Sequence, residues 1–255
     1  MDRAKFYAAL RRDRRVFGKS LSEQQVKGME GILDAWVNHG TANHRHLAYV
    51  FATVYHETGR KMVPVREGFA KSDAGARRAV NRLARKRGPR SAVARYAKPA
   101  GPYGHVYYGR GRVQNTWLDN YRKLSKRFPA YDFVKNPDDL LDPYIDGIVT
   151  IVGHIEGTWT GKKLSNYITA HKRDYVNARR IVNRMDKAKT IAGYALAFDD
   201  AIKAAGGIPV KSTQKPTEPQ KPKDDKTPKD KGKTPPPAKS GGFLAWIFSL
   251  FTRKE

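Results

Sequence analysis

LSEQQVKGMEGILDAWV, residues 21–37, reads as an amphipathic helix. Val26, Met29, Ile32, Leu33 and Trp36 recur every three or four positions and line one face, as a 3.6-residue repeat requires. Ser20 and Glu23 form an S-x-x-E capping-box pattern that predicts where this helix starts. A second helix is expected from about Thr41, carrying Leu47, Val50, Phe51, Val54 and Tyr55 into the same core. The chain keeps this periodicity to residue 207 with few alternating, strand-like stretches, so the fold class is mainly α. Asn136-Pro137 and Asp142-Pro143 mark turns, and IAGYALAFDDAIKAAGG at 191–207 closes the helical region.

Further along, residues 71–98 hold ten Lys or Arg and one acid, Asp73. The interspersed Ala and Val make this a basic helix broken at Gly88-Pro89, and a solvated face is the simplest reading of its charge. KPAGPYGHVYYGRGRVQ at 98–114 reads as a loop or short hairpin between helices. Over the whole chain, 50 Lys plus Arg against 24 Asp plus Glu give a formal charge of +26. Such an excess implies a polyanionic partner: nucleic acid, an anionic membrane or an acidic wall polymer. The chain has no cysteine, so disulfides and thiolate metal sites are excluded.

The composition changes near residue 207, which sets three expected segments: a catalytic domain at 1–207, a linker at 208–241 and a tail at 242–255. Residues 211–240 hold seven of the 15 prolines and nine lysines, too little apolar area to offset ordering entropy, so a disordered linker is expected. FLAWIFSLF at 243–251 is apolar but far short of the roughly 20 residues that span a bilayer as a helix. It suits attachment at a membrane interface or docking on a partner. The start, MDRAKFYAALRRDRRVF, lacks the apolar run of a secretory signal. Synthesis in a bacterial cytoplasm without a signal peptide is therefore expected.

Chemistry concentrates in FATVYHETGRKMVPVREGF at 51–69. Glu57 ends an apolar helix, and Glu67 follows ten residues later, past a turn near Pro64. Glycoside hydrolysis needs two such acids facing each other: one protonates the leaving oxygen, and the other is a nucleophile or activates a water. Glu57 shares a helical face with Val50 and Val54, and apolar surroundings raise a carboxyl pKa, as a general acid requires. Glu67 sits beside Arg66 and other cations, where positive charge is expected to favour the ionised form. The spacing alone equally fits two surface glutamates in ion pairs.

Other chemistries fit less well. HETGR is similar to a zinc-protease helix, but Arg60 occupies the position of the second metal-binding histidine. His44, His46 and His56 are read as ordinary histidines rather than metal ligands. Gly109-Arg110-Gly111 lacks the further residues of a phosphate loop. A nucleic-acid-binding protein is the rival from another class: residues 71–98 and Tyr96, Tyr103, Tyr107 and Tyr108 supply phosphate contacts and stacking.

FATVYHETG at 51–59 and YYGRGRVQNTWLDNY at 107–121 together resemble the signatures of family 19 glycoside hydrolases, the chitinases and related phage endolysins. NPDDLLDP at 136–143, EGTWTGKKLSNYI at 156–168 and ARRIVNRMD at 178–186 follow in matching order. The resemblance implies a two-lobed, lysozyme-like, mainly α domain with a small hairpin and a catalytic cleft. It also implies inverting hydrolysis of β-1,4 bonds in an N-acetylated amino-sugar polymer, with peptidoglycan preferred and chitin the alternative. Glu57 is then the general acid, Glu67 the general base, and Thr116 the hydroxyl that holds the attacking water. Gln114, Asn120 and Asn183 contact the sugar, His56 and Tyr108 shape the cleft, and no metal or cofactor takes part. The chain departs from the family at Arg112, often proline; at Asn115, usually apolar; and at Asp119, often aromatic. A monomer acting at the cell wall after passage through the membrane is expected, with nucleic acid not a partner.

Overall fold

The computed structural model describes residues 1–208. The expected linker, from residue 209 on, and the tail lie outside the described residues. Among those described, nine α-helices carry the fold: α1 (Arg3–Arg12), α2 (Glu23–His39), α3 (His44–Glu57), α4 (Asp73–Arg87), α5 (Ala92–Tyr96), α6 (Leu118–Arg127), α7 (Pro143–Glu156), α8 (Leu164–Tyr167) and α9 (Ala188–Ala204). The only sheet among them is a two-residue antiparallel pair, β1 (Val65–Arg66) with β2 (Arg110–Gly111), which sets Val65 opposite Gly111. The mainly helical class is that read from the periodicity, and the loop or short hairpin expected from the Gly-Tyr segment is present as two tight antiparallel bridges, Ala100 with His105 and Arg110 with Asn115, whereas β1 lies outside that segment.

Two separate cores explain the two lobes. The large one gathers side chains from α1, α2, α3, α6, α7 and α9, and Phe6, Phe51 and Phe198 stack through it with ring separations of 5.8 and 5.2 Å. Helix α3 runs through its centre, packed on α9 and α7, and every residue from His46 to Glu57 is buried. A helix enclosed on all sides carries its C-terminal side chains into the interior, which is how Glu57 reaches a buried position. The small core joins Val80 and Leu83 of α4, Val93 and Tyr96 of α5, and Val106 and Tyr108 of the following segment. The basic helix breaks between Arg87 and Ala92, at the expected Gly88-Pro89.

Helix α2 starts two residues later than the S-x-x-E pattern predicts. Ser22 accepts from the Gln25 backbone at 3.2 Å and the Gln25 side chain accepts from the Ser22 backbone at 2.9 Å, a complete capping box. Ser20 lies outside it, because S-x-x-Q at 22–25 overlaps S-x-x-E at 20–23 and satisfies the same helix-end donors. Helix α3 is likewise capped by Asn43, which accepts from the Arg45 backbone, rather than starting at Thr41. The Thr41 hydroxyl instead meets His46 Nδ1 at 2.8 Å. The Asp142-Pro143 turn starts α7: Asp142 caps it by accepting from Tyr144 and Ile145, with proline in the first turn, where its missing N–H costs nothing.

The hairpin is fastened to α7 by a buried ion pair. Arg112, wholly buried, places Nη1 2.9 Å from Asp146 Oδ2, and its Nε donates to the Met62 carbonyl at 2.9 Å. Burial pushes the Asp146 carboxyl up to about 6, partly offset by Arg112. Gly111 precedes it at φ 84°, and Asp146 lies where a Cβ would sit, so both the conformation and the space require glycine.

Candidate active site

Glu57 opens onto a cavity of about 160 Å³ whose walls also include Gln114, Thr116, Asn120 and Asn183. These five residues, 126 positions apart at the extremes, are brought together by the end of α3, the segment after β2, the first turn of α6 and the segment before α9. Trp117, packed against the small core, and Trp159 form further walls. Gln114 and Trp117 both hold positive φ, 53° and 76°, which non-glycine residues adopt at a cost of roughly 1–3 kcal/mol each. Such conformations persist where the surroundings impose them, and here they flank Thr116.

The Glu57 carboxylate is 3% exposed. Burial raises its pKa, and the adjacent Arg179 pulls it back down. Arg179 is itself fully buried, with Nη1 2.7 Å from Glu57 Oε1 and Nε donating to the Asp186 carbonyl at 3.1 Å. Arg179 lies within the ARRIVNRMD stretch and was not among the expected site residues. A partner 122 residues away leaves no local pattern to find it by.

Glu67 does not line this cavity. It is buried against the small lobe, where Oε1 accepts from the Tyr96 hydroxyl at 2.6 Å and Oε2 from the Gly109 backbone at 2.8 Å. The sequence expectation that nearby cations lower its pKa does not hold. Burial dominates and raises it, the hydrogen bonds from Gly109 and Tyr96 oppose that, and Arg110 contributes least. Arg66 is turned away to Asp138.

The polar groups of the cavity have defined orientations. Gln114 Nε2 donates to the carbonyls of Val65 and Gly111 at 3.0 and 3.1 Å, which leaves Oε1 as the acceptor. Asn120 Nδ2 donates to the Thr116 carbonyl at 2.7 Å, and Thr116 donates its hydroxyl proton to the Gln114 carbonyl at 2.9 Å. The Thr116 oxygen can therefore accept from a water. Asn183 Oδ1 accepts from the Arg184 backbone at 2.8 Å.

His56 and Tyr108 lie behind the cavity walls rather than among them. His56 is buried and pushed down to about 3, first by burial and then by Arg179 and Lys187, so it is neutral. Tyr108 belongs to the small core; its hydroxyl donates to Asp73 at 2.8 Å and the Arg110 guanidinium lies 3.7 Å over its ring. The other histidines go elsewhere: His44 Nε2 lies 3.1 Å from Asp199, and His46 Nε2 lies 2.8 Å from the Ile168 carbonyl.

No family model and no curated protein matches the chain. Among solved structures, it is similar to chitinase C from Streptomyces griseus at 19% identity and a TM-score of 0.42, over 84% of this chain and 95% of that one. A mutant of chitinase C gives 19% identity and a TM-score of 0.41, over 82% and 95%.

Proposed function

We propose that this chain is a glycoside hydrolase that cuts β-1,4 bonds in peptidoglycan by an inverting acid/base reaction. The observation that carries this reading is Glu57: a buried carboxyl of raised pKa at the wall of a polar cavity, paired to a fully buried arginine. A general acid must hold its proton until the leaving oxygen needs it, and burial does that. Once the proton is transferred, the new carboxylate lies beside the Arg179 guanidinium. That stabilisation grows as charge develops, so it favours the transition state over the ground state.

Glu67 is the proposed base. It stands outside the cavity wall, with Tyr96 and Gly109 each occupying one site on its two oxygens and lone pairs left for a water proton. Thr116 holds that water as an acceptor. Gln114 Oε1 and Asn120 Oδ1 accept from sugar hydroxyls or N–H groups, and Asn183 lines the same cavity. His56 and Tyr108 support the walls from behind. The reaction uses no cofactor. The enzyme acts as a monomer at the cell wall, and its positive charge suits an acidic wall polymer.

Chloroform-treated Gram-negative cells give the test. The wild-type protein clears their turbidity, and Glu57→Gln does not. Absence of lysis, together with tight and salt-dependent DNA binding, returns the assignment to the nucleic-acid reading.

A further inference from the structure

We infer that Asn115 is a specificity-determining residue, whose side-chain N–H groups donate to a carbonyl oxygen carried by an amide substituent of the sugar polymer. This rests on the glycoside-hydrolase reading and adds to it a recognition element at a position that is usually apolar in the family the sequence resembles. Asn115 lines the cavity beside Glu57 and is only 1% exposed. Its Oδ1 accepts from the Trp159 indole N–H at 2.7 Å. An indole nitrogen can only donate, so the amide orientation is forced: oxygen toward Trp159, nitrogen away from it. That nitrogen has no hydrogen-bond partner among the described residues.

A buried amide N–H left unmatched costs stability, so the group calls for an acceptor that the folded chain does not supply. The amide is held rigidly for that purpose. The Asn115 backbone pairs with Arg110 in both directions, at 2.8 and 3.0 Å. The Trp159 ring is fixed in turn, edge-on to His154 at 5.0 Å and packed over Gly153, where any Cβ would collide with it.

The chemistry complements the neighbouring amides. Gln114 donates its N–H groups to protein carbonyls and presents an oxygen, whereas Asn115 has its oxygen occupied and retains its donors. Sugar hydroxyls can serve either kind. A carbonyl can serve only a donor, and a peptidoglycan strand carries two: the N-acetyl group on both sugars and the lactyl carbonyl on one of them.

The test measures kcat/KM on peptidoglycan, on the same glycan after chemical de-N-acetylation, and on chitin oligomers, which carry acetyl but no lactyl groups. Asn115→Leu removes the donor. Asn115→Asp also removes it while keeping the acceptor for Trp159, which guards against a packing artefact. Both variants are expected to lose about tenfold on peptidoglycan, equivalent to about 1.4 kcal/mol, mainly in KM. A loss shared with chitin oligomers and much reduced on the de-N-acetylated glycan identifies the acetyl carbonyl. A loss that persists after de-N-acetylation and is absent on chitin identifies the lactyl carbonyl. Equal losses on all three substrates, or none on any, overturn the inference and leave the hydrolase reading standing. A wild-type protein that cuts none of them removes both.

Discussion

Arg112 shows how one residue departs from a family pattern and keeps the fold. In place of a common proline it puts a guanidinium into the interior, where Asp146 and the Met62 and Pro143 carbonyls surround it. A buried pair of this kind contributes little compared with apolar residues of the same volume, yet losing one partner strands a charge. Arg112→Met should therefore destabilise the domain by about 3–5 kcal/mol in urea unfolding, while Arg112→Met with Asp146→Leu should recover most of that loss. Equal destabilisation by the single and double variants would show that the hairpin anchorage, not the stranded charge, is what matters. Glu57 and Arg179 obey the same physics, but their pair borders a cavity rather than a closed core. The role of Glu57 as the acid came from the resemblance, whereas its position at the end of a buried helix was legible because an apolar helix ending in a glutamate is a local pattern. Arg179 was not, and neither was the occupied state of Glu67, because Tyr96 and Gly109 reach it from 29 and 42 residues away.

Helices were the most legible elements. The apolar stripes of α2 and α3 place Met29, Ile32, Leu33, Trp36, Leu47, Val50, Phe51, Val54 and Tyr55 in the core, as their spacing requires. What the stripe leaves open is the start of α2, where two overlapping capping patterns compete. Ser22→Ala should lower stability by about 1 kcal/mol, and Ser20→Ala should leave the thermal midpoint almost unchanged. The reverse order would move the cap back to Ser20. The β1–β2 pairing escaped the sequence reading for a physical reason. Each strand is two residues long, too short for any alternation, and they pair across 46 positions through Val65 and Gly111.

At the scale of the whole molecule, two cores meet around one cavity, with Glu57 on the large lobe and Trp117 packed on the small one. The small lobe carries exposed cations along α4, α5 and the break between them, among them Arg78, Arg82, Arg85, Arg90 and Arg95. With a chain charge of +26, attraction to an acidic wall should speed encounter and be weakened by salt. The screening length falls from about 10 Å at 0.1 M to about 3 Å at 1 M. Initial rates on intact wall should drop across that range, while rates on short neutral glycan fragments should hold. Equal salt sensitivity on both substrates would detach the charge from targeting. The proposed chemistry depends on Glu57, and the release of reducing ends from purified peptidoglycan tests that residue most directly. The wild-type protein should release them, and Glu57→Gln, folded as judged by its circular dichroism melt, should do so about 10²–10⁴-fold more slowly. A folded Glu57→Gln protein working at the wild-type rate, or a wild-type protein releasing none, would contradict it.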